Sequence, residues 1–159
     1  MAAFVGIPAS DDLQALAGDV GRLFEDLAAR RSGRRHVVTG ECVPLVDVFE
    51  TDRSVEIVVD VPGVATDALR IAFKAGIVLI VGEKERPDPS TLAPASFHVV
   101  ERDFGRFVRA VRINSAIDAA GTRARLSHGE LRIVLPRRHE RRGLPIEIAI
   151  DSGPQPTHE

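Results

Sequence analysis

The side chains of this 159-residue chain that could serve as nucleophile, base or metal ligand are few and dispersed. His36, His98, His128, His139 and His158 lack the short paired spacings that bring two ligands to one metal ion. Cys42 is the sole cysteine, so the chain can form neither an internal disulfide nor a zinc-binding cysteine cluster. No basic cluster flanks it to stabilise a thiolate. Ser127 and His128 adjoin, but neighbours in a turn are not by themselves a nucleophile and its base. The segment from Gly76 to Lys84 (GIVLIVGEK) has its glycines and lysine at the wrong spacing for a phosphate-binding loop, and it reads as a strand. No convergent set exists, so the expectation is no catalytic residue, no cofactor and no metal, with an enzyme the least favoured class.

Composition narrows the classes further. Lys and Arg total 21 against 23 Asp and Glu, and there are seven Phe but no Trp or Tyr, which argues against a nucleic-acid partner. No apolar run approaches the ~18 residues of a membrane span. The N-terminus MAAFVGIPASDD lacks the basic start of a signal peptide, and the lone cysteine suits a reducing compartment, so a cytoplasmic location is expected. The near-neutral total conceals segregation. Residues 41–100 carry ten acids and five bases, whereas residues 98–142 carry eleven Arg against five acids. These are either solvated surfaces or acidic and basic parts that meet, within one sandwich or between subunits.

The elements follow from periodicity. Leu13, Leu16, Ala17, Val20, Leu23, Phe24, Leu27 and Ala28 recur at helical spacing after an N-capping Ser10. Asp11 and Asp12 suit the positive end of this helix, and Arg30 and Arg31 the negative end. Gly18 and Gly21 each cost about 1 kcal/mol relative to Ala, so the helix needs a surface. That surface is its own domain, another subunit, a client protein or, least favoured, a membrane face. Arg31 to Gly40 reads as a linker.

From Val43 the period changes to two. Strands are predicted over Val46 to Phe49, Val55 to Val61, Leu69 to Lys74, Ile77 to Val81, Phe97 to Glu101, Phe107 to Ile113, Arg123 to Leu126 and Leu131 to Leu135. Turns fall at Pro62-Gly63, Ala75-Gly76 and Ser127-His128-Gly129, and Arg86 to Ala95 is a proline-rich loop. Strands without intervening helices predict an antiparallel β-sandwich. The Ile77 to Val81 strand is too apolar to face water on either side.

Two further features point outward from that sandwich. Arg109 shares a strand face with Phe107, Val111 and Ile113, so it either snorkels to solvent or forms a buried or interfacial ion pair. Past Arg142, Ile146, Ile148 and Ile150 form one apolar stripe, either a final strand or a detachable hook for a groove on another subunit. Burying two Ile yields roughly 3–6 kcal/mol before association entropy, so one hook is weak and many together hold an assembly.

Taken in order, these segments resemble the small heat-shock proteins, built on an α-crystallin domain. The resemblance lies in Pro44-Leu45-Val46-Asp47-Val48-Phe49-Glu50-Thr51-Asp52, Val59-Asp60-Val61-Pro62-Gly63-Val64 and Gly76-Ile77-Val78-Leu79-Ile80-Val81-Gly82-Glu83. It continues through Glu101-Arg102, Phe104-Gly105-Arg106-Phe107 and Arg109, then Ala124 to Pro136 (ARLSHGELRIVLP, with Glu130 where Val is usual) and Ile146-Glu147-Ile148. It implies an immunoglobulin-like sandwich over residues 43–138, a helical N-terminal arm over 1–42 and an extended C-terminal tail over 139–159. By the same resemblance Ser96, Phe97, His98, Val99, Val100, Glu101 and Arg102 are lent to a partner's sheet, with Arg109 at or near the dimer interface. Ile146, Ile148 and Ile150 would dock in a neighbour's groove lined by Leu69, Ile71, Phe73, Ala124 and Leu126. The implied activity is ATP-independent holding of unfolding proteins, within homo-oligomers and without nucleic acid or a membrane span. Phe4, Leu13, Leu16, Val20, Leu23, Phe24 and Leu27 are then the client-contact candidates. The alternative is a sandwich interaction module acting as a co-chaperone-like adaptor.

Overall fold

The computed structural model describes residues 3–5, 10–31, 40–88 and 95–138, with the side chains of residues 3–5 and 10–13 excepted. The predicted tail stripe of Ile146, Ile148 and Ile150, most of the linker, and the side chains of Phe4 and Leu13 therefore lie outside the described residues.

Among the described residues eight strands and one long helix follow in chain order: β1 (Ala3–Val5), α1 (Ser10–Arg30), β2 (Val46–Glu50), β3 (Ser54–Asp60), β4 (Leu69–Lys74), β5 (Ile77–Lys84), β6 (Gly105–Arg112), β7 (Arg123–Ser127) and β8 (Glu130–Pro136). They form two four-stranded sheets, ordered β1-β6-β5-β4 and β2-β3-β8-β7. All ladders are antiparallel except β1 on β6, which is parallel. This is the expected β-sandwich with an N-terminal helix, and the strand bounds agree with the periodicity to within a few residues.

Alternation explains the core. Val55, Ile57 and Val59 of β3 face Leu131, Ile133 and Leu135 of β8, and all six are at most 3% exposed. Val78, Ile80, Phe107 and Val111 of the first sheet close the same cluster from the other side. The two hairpin turns need positive φ at both central residues, and Ala75-Gly76 and His128-Gly129 adopt it.

Two outcomes differ from the sequence reading. β1 was not expected, because three apolar residues carry no periodicity. It exists by adding to the open edge of β6, pairing Ala3 with Arg109 and Val5 with Val111. The strand expected over Phe97 to Glu101 does not form within the chain: residues 95–104 have no ladder partner, and Phe97, Val99 and Val100 are 68%, 72% and 63% exposed. A strand is a property of a pair, and the β6 edge is already taken by β1. At Arg109 the sequence left several environments open, and no carboxylate among the described residues pairs with it. Its Nε is buried without a hydrogen-bond partner, and desolvation lowers the guanidinium pKa from its ordinary value.

Candidate interaction surfaces

Nothing in the described residues assembles a catalytic constellation. Ser127 Oγ and His128 Nδ1 share a 2.9 Å hydrogen bond, but both belong to an exposed hairpin turn, and no other described group hydrogen-bonds that ring. Burial pushes the Cys42 thiol up, and its Sγ lies 3.6 Å from the Gly105 carbonyl oxygen, so it stays protonated at neutral pH. The described residues hold no group of three or more His, Cys, Asp or Glu placed for a metal ion. Apolar surfaces are the more distinctive feature.

The first surface comprises two sheet edges. β4 ends one sheet and β7 ends the other. Ile71 and Phe73 pair with inward-facing Ile80 and Val78, so they share the inner face, as do Ala124 and Leu126 beside Ile133 and Leu131. Ile71, Phe73 and Leu126 pack against the core but stay half-buried, Ala124 is exposed, and Leu69 is buried. The predicted groove residues therefore lie on the inner faces of two edge strands, with one member already consumed by the core.

The second surface is the segment from Ser96 to Arg102, every residue of which is exposed. Phe97, Val99 and Val100 help to line a pocket of about 350 Å³ with Arg86, Pro87, Glu101, Arg102 and Phe104. Lys84, Arg86 and Arg102 lie 5.7, 5.4 and 5.0 Å from the centre of the Phe104 ring, three cations around one aromatic side chain. The expected interface residue Arg109 is elsewhere, on the β6 strand whose outer edge β1 covers.

The third surface is the helix. Leu16 and Leu27 are 7% and 0% exposed, and Val20, Leu23 and Phe24 are half-buried. Leu16, Val20, Leu23 and Phe24 pack on Ile77, Leu79, Val81 and Ala110, the outer face of the first sheet. Among the surfaces open to the helix, the structure gives its own domain, which also explains why β5 is apolar on both faces.

Charged groups rim this contact. Arg31 meets Glu83 at 3.4 Å and also pairs with Glu85, with the Arg31 side chain 8% exposed. Glu83 is held in addition by Arg106 at 2.9 Å, and Arg106 lies 5.1 Å from the centre of the Phe24 ring. Arg70 reaches Asp26 at 2.7 Å and Lys74 reaches Asp19 at 2.9 Å. These pairs hold both carboxyls below the usual aspartate range, through Lys74 and then Arg22 for Asp19, and chiefly through Arg70 for Asp26. Sequence reasoning missed this clasp. From sequence Arg31 suits the helix dipole, and the hint of a further role is Glu83 just after an apolar strand.

Comparison with known proteins agrees with this architecture. The family model described as Hsp20/alpha crystallin family matches residues 47–151. Heat shock protein 16 of Schizosaccharomyces pombe is 32% identical over 120 residues, covering 74% of this chain and 82% of that protein. Spore protein SP21 of Stigmatella aurantiaca is 30% identical over 116 residues, covering 73% of this chain and 68% of the relative. Among solved structures, a small heat-shock protein from Xylella fastidiosa, described as having a distinct high order structure, superposes with a TM-score of 0.60 at 30% identity, over 70% of this chain and 98% of that one.

Proposed function

This chain belongs to the Hsp20/alpha crystallin family, and we propose that it is a holdase, capturing unfolding proteins without ATP and keeping them from aggregating, in the cytoplasm. The observation that carries the proposal is the amount of apolar surface left uncovered or covered only by the chain's own arm. Phe97, Val99 and Val100 face solvent, and the β5 face is covered by a helix with two glycines. Capture by such surface needs area rather than geometry, which suits a promiscuous binder.

The three regions divide the work. Residues 1–42 supply client contacts through Phe4, Leu13, Leu16, Val20, Leu23, Phe24 and Leu27. Residues 43–138 form the dimerising sandwich. There the exposed Ser96 to Arg102 segment gains a ladder on the β2 edge of a partner, a strand whose Val48 and Phe49 are themselves exposed. Arg109, whose Nε is buried without a partner among the described residues, finds its carboxylate or carbonyl partner when subunits meet. Residues 139–159 carry Ile146, Ile148 and Ile150 into the groove of Ile71, Phe73, Ala124 and Leu126 on a neighbour, extending dimers into a larger homo-oligomer.

The deciding experiment heats a labile client with this protein, without nucleotide, and follows light scattering. Suppression at near-stoichiometric amounts is expected. Undiminished aggregation would overturn the holdase reading.

A further inference from the structure

β5 sits between two apolar environments. Val78 and Ile80 point into the sandwich core, whereas Ile77, Leu79 and Val81 point outward and are 8%, 3% and 0% exposed only because α1 lies over them. A contiguous apolar patch at the centre of a sheet marks an interaction site once uncovered.

The cover is built to be marginal. Gly18 and Gly21 are exposed, and a Cβ on either would meet nothing within 4 Å, so packing does not require glycine at these positions. Each glycine nevertheless lowers helix propensity relative to alanine. A gap of about 170 Å³ remains between helix and sheet, lined by Leu16, Asp19, Leu23, Lys74, Ile77 and Leu79 among others. Polar contacts at the rim then hold the helix: Arg31 on Glu83 and Glu85, Arg70 on Asp26, and Lys74 on Asp19.

We propose that the outer face of β5, formed by Ile77, Leu79 and Val81 with Ala110 of β6, is a second client-capture site whose ligand is an amphipathic helical segment of an unfolding protein, and that α1 is the intramolecular occupant displaced when the Arg31 clasp opens. The proposal rests on the holdase reading and names the ligand class for it. The bound helix displays the chemistry that the face accepts. It has an apolar stripe at helical spacing, acids along the flank that meets Arg70 and Lys74, and a cation at the C-terminal end facing Glu83 and Glu85. A client segment with that pattern replaces α1 contact for contact. The released arm then offers Leu16, Leu23, Phe24 and Leu27 as a second apolar stripe, so one opening event yields two surfaces.

The test places a thiol on the face. In full-length Leu79→Cys protein, with Cys42→Ser to remove the native thiol, the labelling rate by a maleimide reports opening of α1. Adding Arg31→Glu should speed labelling by at least about tenfold, because a largely buried ion pair becomes a repulsion. Adding Gly18→Ala and Gly21→Ala instead should slow it severalfold, since both methyl groups enter open space and favour the helix. A heat-unfolded client in excess should protect the thiol in the Arg31→Glu background. Labelling indifferent to both sets of changes would overturn the clasp. A thiol left unprotected while scattering stays suppressed would overturn the site. Should Arg31→Glu fail to fold, the paired glycine variant with client decides alone. Loss of scattering suppression in the parent protein would instead strike the holdase reading, a separate outcome.

Discussion

Gly40 and Gly105 meet backbone to backbone. A Cβ on Gly105 would lie 2.1 Å from the Gly40 carbonyl oxygen, and one on Gly40 would lie 2.8 Å from the Phe104 oxygen. Both residues have positive φ, +101° and +132°. The contact is locked by Arg106 N–H donating to the Gly40 carbonyl and Cys42 N–H to the Arg106 carbonyl, each at 3.2 Å. The contact pins residues 40–42 against the start of β6.

Replacing Gly105 with Ala should therefore cost at least about 2 kcal/mol, combining a backbone clash with strain at positive φ. For a sandwich of this size that corresponds to roughly 8 °C or more in melting temperature. Calorimetry checks it. A melting point unchanged within a degree would mean that the Gly40–Gly105 contact does not constrain the sandwich.

Arg109 gives a prediction in which sandwich and assembly respond in opposite directions. Its Nε is buried without a partner, and desolvation is the cause of its lowered pKa. Arg109→Met keeps much of the volume and removes a charge that no described carboxylate pairs with, so the sandwich at high dilution should melt unchanged or gain about 1–2 kcal/mol. At working concentration the same variant should exchange subunits faster, if the missing partner of the guanidinium is supplied by another chain. Melting as a function of concentration, with subunit exchange, measures both. A large loss of stability at high dilution would show that Arg109 has its partner within the chain.

How much of this was legible from sequence depends on the range over which each feature is determined. β3, β4 and β8 were readable because period-two alternation is local and their inner faces are buried. β5 was readable as doubly apolar, yet what lay on its outer side was not. The helix that covers it is distant in sequence, and amphipathicity alone left its surface open. Phe97 to Glu101 has strand composition but no ladder in one chain, because hydrogen-bond partners are not a property of a segment. The Arg31–Glu83 clasp joins residues 52 apart, and no spacing rule reaches that far. Gly105 was visible through the family resemblance, but its reason, contact with Gly40, required the fold.

The rim of the helix predicts a pH window. Asp19 is held below its ordinary value of 3.8 first by the hydrogen bond from Lys74 and then by that from Arg22, and Asp26 first by that from Arg70. A carboxyl whose folded pKa is depressed stabilises the fold above its unfolded value and loses that contribution as pH falls through the folded one. The arm should therefore stay equally docked from pH 8 down to about 5 and loosen below about 3.8. Amide hydrogen exchange of α1, corrected for intrinsic rates, reads this directly. Loosening near pH 6 would assign the switch to a histidine and not to these aspartates.

The tail and its groove should behave as one interaction. Ile148→Ala removes apolar surface worth roughly 1.5–3 kcal/mol gross from each hook, and Phe73→Glu places a charge on a half-buried groove position without emptying the core. Either change alone should lower the native mass of the oligomer towards a dimer, because assemblies held by many weak contacts dissolve when each is weakened together. Combining them should add little, since the second substitution acts on a contact already lost. Native mass spectrometry of the two single variants and the double variant makes the comparison, and a shared endpoint supports docking of Ile148 against the strand carrying Phe73. Full additivity would place the tail elsewhere, leaving the groove to serve another ligand, because independent sites add and a shared site cannot.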